Sequence, residues 1–198
     1  MKFLIFIMLT GLFVSPVSAQ ISFTNIDSKL NIVKGNNQTL VTCSTQNMAV
    51  NFNLKRKVTR MQQNNVLMVD DQVIQISPLK VDDYRKNTDN SSIAGQKQLL
   101  DTYSKYELNY FKNELKVDVI TPNNQWVFIK SKGWLIWYFR VGNIPIGVNK
   151  PTRINLFAST IIADKILTIN APVSSDNGFK KASFIINEMM ETLKFTRQ

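Results

Sequence analysis

Glu107 and Glu114 are the residues of this sequence whose type and spacing come closest to a chemical site. They lie seven residues apart on a predicted helix and project onto one stripe, where a helix that only packs on a sheet would carry apolar residues. A carboxylate buried there would have a raised pKa, bind a cation, or pair with a base across the sheet such as Lys130 or Arg140. The plainer interpretation, in which both carboxylates reach water, stays open.

Other reactive side chains are scarce, because the 198 residues include no histidine and a single cysteine. These counts exclude histidine-dependent catalytic triads, histidine-ligated metal sites, two-cysteine redox centres and cysteine-based zinc sites. Carboxylate, lysine, hydroxyl or tyrosine chemistry remains, and no specific motif for any of these is present. We therefore expect no enzyme, no bound metal and no cofactor, with a carboxylate-based hydrolase as the weakest alternative.

The single cysteine, Cys43, ends a predicted strand over residues 39–43. We interpret it as a small buried apolar residue. The alternative is an intermolecular disulfide, since one thiol cannot close an internal bridge.

The densest charge cluster is Lys55, Arg56 and Lys57 with Arg60, in a chain of 24 basic and 14 acidic residues. One interpretation is a solvated or edge-protecting end of a strand. The functional one is a contact with an anionic partner, either an acidic protein surface or membrane phosphates. We expect no nucleic-acid partner, because that would need a wider basic surface with stacking aromatic residues.

The first nineteen residues have the three parts of a secretory signal: Lys2, an apolar run over residues 3–14, and Val-Ser-Ala at residues 17–19. Cleavage would leave Gln20 as the first residue and a net charge of +9 over 179 residues, because only Lys2 is lost. A membrane anchor is the competing interpretation, but the run is shorter than the roughly 20 residues of a spanning helix. We predict a signal peptide at 1–19, one domain at 20–198, no transmembrane segment in the mature chain, and a periplasmic or secreted location.

Strands dominate the first part of the predicted domain. Alternation over residues 48–61 indicates a half-buried strand, and Asp70-Asp71 joins two apolar runs at 66–69 and 73–76 as a hairpin turn. Ser77-Pro78 is expected to end this sheet segment, with a polar connection over 80–92.

Two helices are predicted, at residues 93–115 and 176–194. The first presents Leu99, Leu100, Tyr103, Tyr106, Tyr110 and Phe111 on one stripe. The second presents Phe179, Ala182, Ile185, Ile186, Met189, Met190 and Leu193. Between the helices, strands are expected at 116–120, 125–130, 134–141, 153–163 and 165–172, which gives a mostly antiparallel α+β protein.

Paired asparagines supply the turns that the seven glycines do not, at Asn36-Asn37, Asn64-Asn65 and Asn123-Asn124. Asn37 and Asn90 also begin N-glycosylation patterns, but two such matches are expected by chance in a chain this rich in asparagine.

Five aromatic residues crowd the hairpin formed by the second and third of the strands between the helices. They are Trp126, Trp134, Trp137, Tyr138 and Phe139. A three-residue loop with Gly133 in the left-handed position would place Trp126 and Trp134 on one face and Trp137 and Phe139 on the other. Both faces are apolar, so we expect the aromatic residues to be core and not a ligand-stacking platform.

The C-terminal third resembles a known family through its order of elements. Two long strands, the second ending in ILTINAPV, precede the helix FKKASFIINEMMETLKF. This pattern is similar to the end of the PsbP-like fold, shared by the photosystem extrinsic subunit, the DcrB-type bacterial envelope proteins and a Ran-binding transport factor. The resemblance spans about residues 40–198 and implies an α/β/α sandwich that works through protein contacts without catalysis. No functional residue transfers, because none matches residue by residue.

Together these observations predict a basic, exported α+β protein that binds an envelope or secreted protein with an acidic surface. A carrier of small amphiphiles is the main alternative, and it would need an apolar cavity between helix and sheet. The oligomeric state is left open.

Overall fold

The computed structural model describes residues 22–82, 92–114, 125–144, 152–163 and 165–197. The elements of the first half are β1 (Ser22–Asn25), β2 (Lys29–Lys34), β3 (Thr39–Ser44), β4 (Met48–Leu54), β5 (Val58–Arg60), β6 (Val66–Val69), β7 (Gln72–Asp82) and α1 (Ile93–Asn113). Those of the second half are β8 (Gln125–Ile129), β9 (Trp134–Ile144), β10 (Thr152–Ile162), β11 (Lys165–Val173), α2 (Asp176–Thr192) and β12 (Lys194–Arg197). The predicted signal segment, the predicted strand at 116–120, Asn90 and Asn123-Asn124 lie outside the described residues.

The strands form two antiparallel sheets, so the chain is a mixed α+β protein dominated by sheet. The large sheet has eight strands in the order β5-β6-β7-β11-β10-β9-β8, with β1 paired to β7. The small sheet has the order β12-β4-β3-β2. Its strand β12 pairs with β4 across about 140 residues of chain, with Phe195 opposite Val50.

Residues that tolerate the left-handed conformation sit at the tight turns. Asp70 and Asp71 have φ of 45° and 66° and form the two-residue loop between β6 and β7, because a loop that short needs positive φ to follow the twist of the strands. Asn65, with φ of 64°, precedes β6. Asn36 and Asn37 lie between β2 and β3. The turn predictions at these positions are confirmed.

Both helices begin at serine caps. The Ser92 hydroxyl accepts from the backbone N–H of Gly95 at 3.1 Å, and Ser175 accepts from Gly178 at 3.1 Å. The helices end within two residues of their predicted limits.

Two hydrophobic clusters divide the core, and each contains one helix. The first holds α1 residues such as Leu100 with Phe139 and Phe157 of the large sheet. The second holds α2 and the small sheet, with Ala158 from β10 among its members. Neighbouring residues of β10 therefore enter different clusters, as expected of a strand whose successive side chains point to opposite faces.

Two strand predictions were wrong in detail. The predicted strand over 48–61 is two strands, β4 and β5, which belong to different sheets and are separated at residues 55–57. Pro78 does not end β7, which continues to Asp82. The carbonyl oxygen of Pro78 accepts from the N–H of Ile26 at 3.0 Å. The proline ring only removes a donor, and a strand can continue past it.

The register of the aromatic hairpin also differs from the prediction. Ile129 lies opposite Trp134, so the loop has four residues, with Gly133 at φ of 66°. Trp126 therefore lies opposite Trp137 and shares its face, because changing the loop by one residue moves every cross-strand pair.

Within the described residues, no helix combines the length and the apolar character that crossing a membrane would require.

Candidate functional site

The predicted basic cluster lies in the connection between β4 and β5, where the chain passes from the small sheet to the large one. Arg56 is its central residue and only 19% of its side chain is exposed. Its Nη1 donates to Asp70 Oδ2 at 2.8 Å, and its Nε donates to Glu188 Oε2 at 2.6 Å. Arg56 therefore joins this connection to the β6–β7 turn and to α2.

The same two carboxylates also hold the backbone on either side of Arg56. The N–H of Lys55 donates to Glu188 Oε1 at 2.9 Å, and the N–H of Lys57 donates to Asp70 Oδ1 at 3.0 Å. Desolvation by itself would raise the pKa of Asp70, but the hydrogen bonds from Arg56 and Lys57 favour the carboxylate, so the pKa is lowered. The carboxylates fix the backbone of this connection as well as the guanidinium.

This geometry corrects the predicted patch, because Arg56 is committed to internal pairs. Lys55, Lys57 and Arg60 are exposed, and in the described part of the chain none of their side chains forms a salt bridge. These three residues are the part of the predicted patch that is available to a partner.

Helix α2 adds residues that the sequence prediction missed. The guanidinium of Arg56 lies 4.7 Å from the ring centroid of Phe184, whose side chain is 62% exposed. Lys180 is exposed one helical turn before Phe184, and Lys181 is close enough to Asp70 to help lower its pKa. We call Lys55, Lys57, Arg60, Lys180, Lys181 and Phe184 the basic face. A sequence signal was present, since Phe184 falls outside the apolar stripe predicted for α2.

The two predicted carboxylates have different environments. Glu107 is 6% exposed, whereas Glu114 is exposed at the end of α1. The two lie about 10 Å apart along the helix, given a rise of about 1.5 Å per residue. They do not form a paired acid and base, and the interpretation in which both reach water is wrong for Glu107.

Glu107 belongs to a buried polar chain between α1 and the large sheet. The Tyr103 hydroxyl donates to its carboxylate and accepts from Thr168 Oγ1 at 3.2 Å. Thr168 in turn lies 3.0 Å from Ser159 Oγ. Burial raises the pKa of Glu107 to about 7, although the Tyr103 hydrogen bond lowers it in part.

The predicted cross-sheet partners of Glu107 are placed elsewhere. Lys130 and Arg140 are exposed, and in the described residues neither forms an ion pair with a carboxylate. Tyr103 is the partner of Glu107 instead, because an i,i+4 spacing on one helix face brings the two side chains together.

A cleft of about 370 Å³ lies between α2 and the strands β8, β9 and β10. Its apolar walls include Val127, Ile129, Leu156, Phe179, Ile186 and Met190. Its polar residues are Gln125, Tyr138, Arg140, Ser183, Asn187 and Glu191. Apolar walls with a few polar groups are typical of small-molecule sites, which span roughly 300–1,000 Å³.

Charge is distributed unevenly along this cleft. The guanidinium of Arg140 lies 5.6 Å from the ring centroid of Phe179, near the start of α2. Glu191 lies at the other end of the helix. Burial and the charge of Glu191 raise the pKa of Tyr138 to about 12, so its hydroxyl stays protonated.

Of the five aromatic residues of the hairpin, Trp137 and Phe139 are core as predicted, and the other three are half-buried against the core. Trp137 is fully buried and stacks on Phe139, with ring centroids 4.1 Å apart, and Phe139 stacks on Phe157 at 4.3 Å. Trp126 and Trp134 are half-buried and each lies below a lysine, Lys97 and Lys132 respectively.

Cys43 is buried with no exposed surface, which confirms the interpretation as a core residue. Burial raises the pKa of its thiol to about 11, against a small opposing effect of a hydrogen bond with Ser28. In the described ranges, no group of three histidine, cysteine, aspartate or glutamate side chains is placed to hold a metal ion.

No family model and no curated protein sequence matches the chain. Among solved structures, it is similar to the solution structure of cyanobacterial PsbP (CyanoP) from Synechocystis sp. PCC 6803. The TM-score is 0.41 and the sequence identity 9%, over 94% of this chain and 99% of that one. The comparison thus returns the PsbP-like fold that the sequence resembles, at a level that carries no argument about function.

Proposed function

We propose that this chain is an exported, non-enzymatic binding protein that contacts an acidic surface of an envelope or secreted protein through its basic face. The observation that carries the proposal is that the residues of the predicted cluster differ in role: one is paired within the fold and its neighbours are exposed. Arg56 is held by Asp70 and Glu188, whereas Lys55 and Lys57 on either side of it have their backbones fixed and their ammonium groups in solvent. Cations on a fixed backbone lose less entropy on binding than cations on a mobile loop.

The composition of the basic face suits a protein partner. Phe184 presents an exposed aromatic ring beside the lysines, and aromatic residues supply much of the binding energy at protein interfaces. The surrounding cations would steer an acidic partner toward it, and association would slow as salt is added. The partner is thus expected to offer carboxylates around an apolar depression.

A capture experiment tests this proposal. Lys55, Lys57 and Arg60 are changed to Glu together, and Arg56 is left intact because its loss would disturb the fold. The matched control changes Lys97, Lys105 and Lys112 of α1 to Glu. These residues are exposed, they lie on the helix that belongs to the other core cluster, and the change in net charge is equal. We expect envelope proteins captured by the wild type, identified by mass spectrometry, to be lost with the first variant and kept with the control. Equal capture by both variants would exclude the basic face as the interface.

Export is part of the same proposal and rests on the sequence of residues 1–19. It predicts that the protein recovered from a periplasmic or culture fraction begins at Gln20. Intact-mass measurement of that material would show this directly, and retention of residues 1–19 in it would contradict cleavage.

We also propose an α/β/α sandwich, with α1 and α2 covering opposite faces of the large sheet. The support is that successive residues of β10 belong to different core clusters: Phe157 packs in the cluster of α1 and Ala158 in the cluster of α2. Hydrogen exchange of the β10 amides tests it: strong protection along the whole strand is expected, and rapid exchange would contradict coverage on both faces.

A second candidate function is favoured by a specific observation, the cleft of about 370 Å³ beside α2. A carrier of small amphiphiles needs an apolar cavity between helix and sheet, and this cleft lies there. Saturable binding of a short-chain amphiphile would support it, and the absence of any such binding would exclude it.

A further inference from the structure

The cleft beside α2 has a direction, set by the charged groups at its two ends. It follows α2 from Phe179 to Glu191, a length of about 18 Å at a rise of about 1.5 Å per residue. Arg140 stands at the end near Phe179, and Glu191 lies at the other. The walls between them combine polar groups with apolar residues such as Leu156, Ile186 and Met190. A ligand that fills the cleft would therefore pass from a cationic to an anionic end along a partly apolar surface.

Arg140 is the group most able to recognise a ligand. Its side chain is exposed and lies against the Phe179 ring, with no carboxylate in salt-bridge range among the described residues. A guanidinium presents planar donors that match a carboxylate or a phosphate, so an anionic headgroup is its natural complement. This differs from Arg56, whose donors are already used within the fold.

The dipole of α2 also favours an anionic group at the Arg140 end of the cleft. The positive N-terminal end of α2 lies near Arg140, and the negative C-terminal end lies near Glu191. Asp176 in the first turn offsets part of the N-terminal charge, so the guanidinium is the main attraction. At the far end, Lys132 donates to the carbonyl oxygens of Glu191 and Leu193 at 2.6 and 2.7 Å and is therefore engaged within the fold.

The size of the cleft limits the apolar part of the ligand. About 370 Å³ equals about a dozen water volumes, which suits one short hydrocarbon chain and not the two chains of a membrane phospholipid. The chain would lie against Leu156, Ile186 and Met190, between sheet and helix.

From these features we infer that the cleft binds a single-chain anionic amphiphile, with its headgroup at Arg140 and its hydrocarbon chain along α2 toward Met190. The inference rests on the second proposed function, the carrier, and assigns the class and orientation of its ligand. The ligand is a fatty-acid-like anion; nothing in the site calls for a chemical step.

Calorimetric titration with matched eight-carbon probes tests the inference. The probes are octanoate, octylammonium and octanol, which share a chain and differ in headgroup charge. We expect octanoate to bind the wild type at least tenfold more tightly than octylammonium. In a series from hexanoate to decanoate, we expect the affinity to rise by up to about fourfold per added CH₂ while the chain stays within the cleft.

Three variants separate the parts of the inference. Arg140→Gln should weaken octanoate binding about tenfold and leave octanol binding unchanged. Lys130→Gln changes an exposed cation of the β8–β9 loop, outside the cleft, and should affect neither. Ser183→Trp fills the cleft from α2 and should abolish both. If that variant loses its native circular dichroism, Asn187→Trp, at an exposed position on the same wall, replaces it.

The possible outcomes separate a failure of this inference from a failure of the carrier function on which it rests. Equal affinity for octanoate and octylammonium, or unchanged octanoate binding in Arg140→Gln, would overturn the anionic headgroup and leave the carrier intact. Undiminished binding in both tryptophan variants would place the site elsewhere and overturn the inference. Failure of all three probes to bind the wild type would exclude the carrier function itself.

Discussion

Replacing Glu107 with Gln should make the protein more stable at alkaline pH and not at acidic pH. Glu107 is buried between α1 and the large sheet, and the Tyr103 hydroxyl is its hydrogen-bond partner. Glutamine has nearly the same shape and keeps a carbonyl oxygen that can accept from Tyr103. The substitution therefore removes the buried charge and little else.

The magnitude follows from the pKa of Glu107, which burial raises from 4.5 to about 7. One pKa unit corresponds to about 1.4 kcal/mol, so ionising Glu107 in the folded protein costs about 3 kcal/mol of stability. The folded state binds this proton more tightly than the unfolded state, so the contribution of Glu107 to stability is greatest below pH 4.5 and is lost as the pH rises through 7. Above about pH 8 the full cost applies to the wild type and is absent from Glu107→Gln.

Urea unfolding followed by tryptophan fluorescence measures this difference, because Trp137 is fully buried in the native state. Between pH 4.5 and 8.5, the stability of Glu107→Gln relative to the wild type should rise by about 3 kcal/mol. Glu114→Gln is the matched control, since it removes the same charge from an exposed position, where a substitution should change the stability by less than about 0.5 kcal/mol. A difference that is equal at both pH values for Glu107→Gln would refute the buried, ionisable carboxylate.

The remaining predictions concern other features of the fold. Arg56→Lys should lower the free energy of urea unfolding by about 2 kcal/mol, because a lysine ammonium cannot donate to Asp70 and Glu188 with the geometry of a guanidinium. The control Lys55→Gln should change that free energy by less than about 0.5 kcal/mol. Equal effects of the two substitutions would contradict the structural role of Arg56. Cys43 should not react with a thiol reagent until urea unfolds the protein. In non-reducing electrophoresis the mature protein should run as a monomer, and a dimer band would support the intermolecular disulfide instead. Ala163 has φ of 55°, so Ala163→Gly should raise the unfolding midpoint by an amount equivalent to about 0.5 kcal/mol, and a lower midpoint would argue against strain there.

Local patterns were sufficient for features that depend on neighbouring residues. The Asp70-Asp71 turn and the two helix limits follow from turn chemistry, serine caps and periodicity, which act over a few residues. The burial of Cys43 follows in the same way from alternation along its strand.

Features that depend on distant parts of the chain were not predicted. Arg56 has partners 14 and 132 residues away, and alternation cannot reveal that its strand breaks and changes sheet at this point. The sequence placed Glu107 on the apolar stripe of α1 but left its burial open. Its burial depends on which side of α1 packs against the sheet, and contacts distant in sequence decide that. The hairpin register was missed because a loop of three residues and one of four leave both faces apolar.

The cleft illustrates the same limit most clearly. Its walls come from four elements, and no single element supplies half of the lining residues. Arg140 and Glu191 become the two ends of one site only once α2 lies along β9.

The pairing of β12 with β4 has a consequence for how the protein folds. The small sheet cannot gain this strand until residues 194–197 are present, although the other three strands occupy residues 29–54. Glu188, which holds the backbone at Lys55, is equally late in the chain. Loop closure over such separations slows folding, so the order of synthesis and the order of assembly differ. A chain stalled before α2 would carry an exposed β4 edge and an Arg56 without its Glu188 partner, a form open to chaperones and to edge-to-edge association.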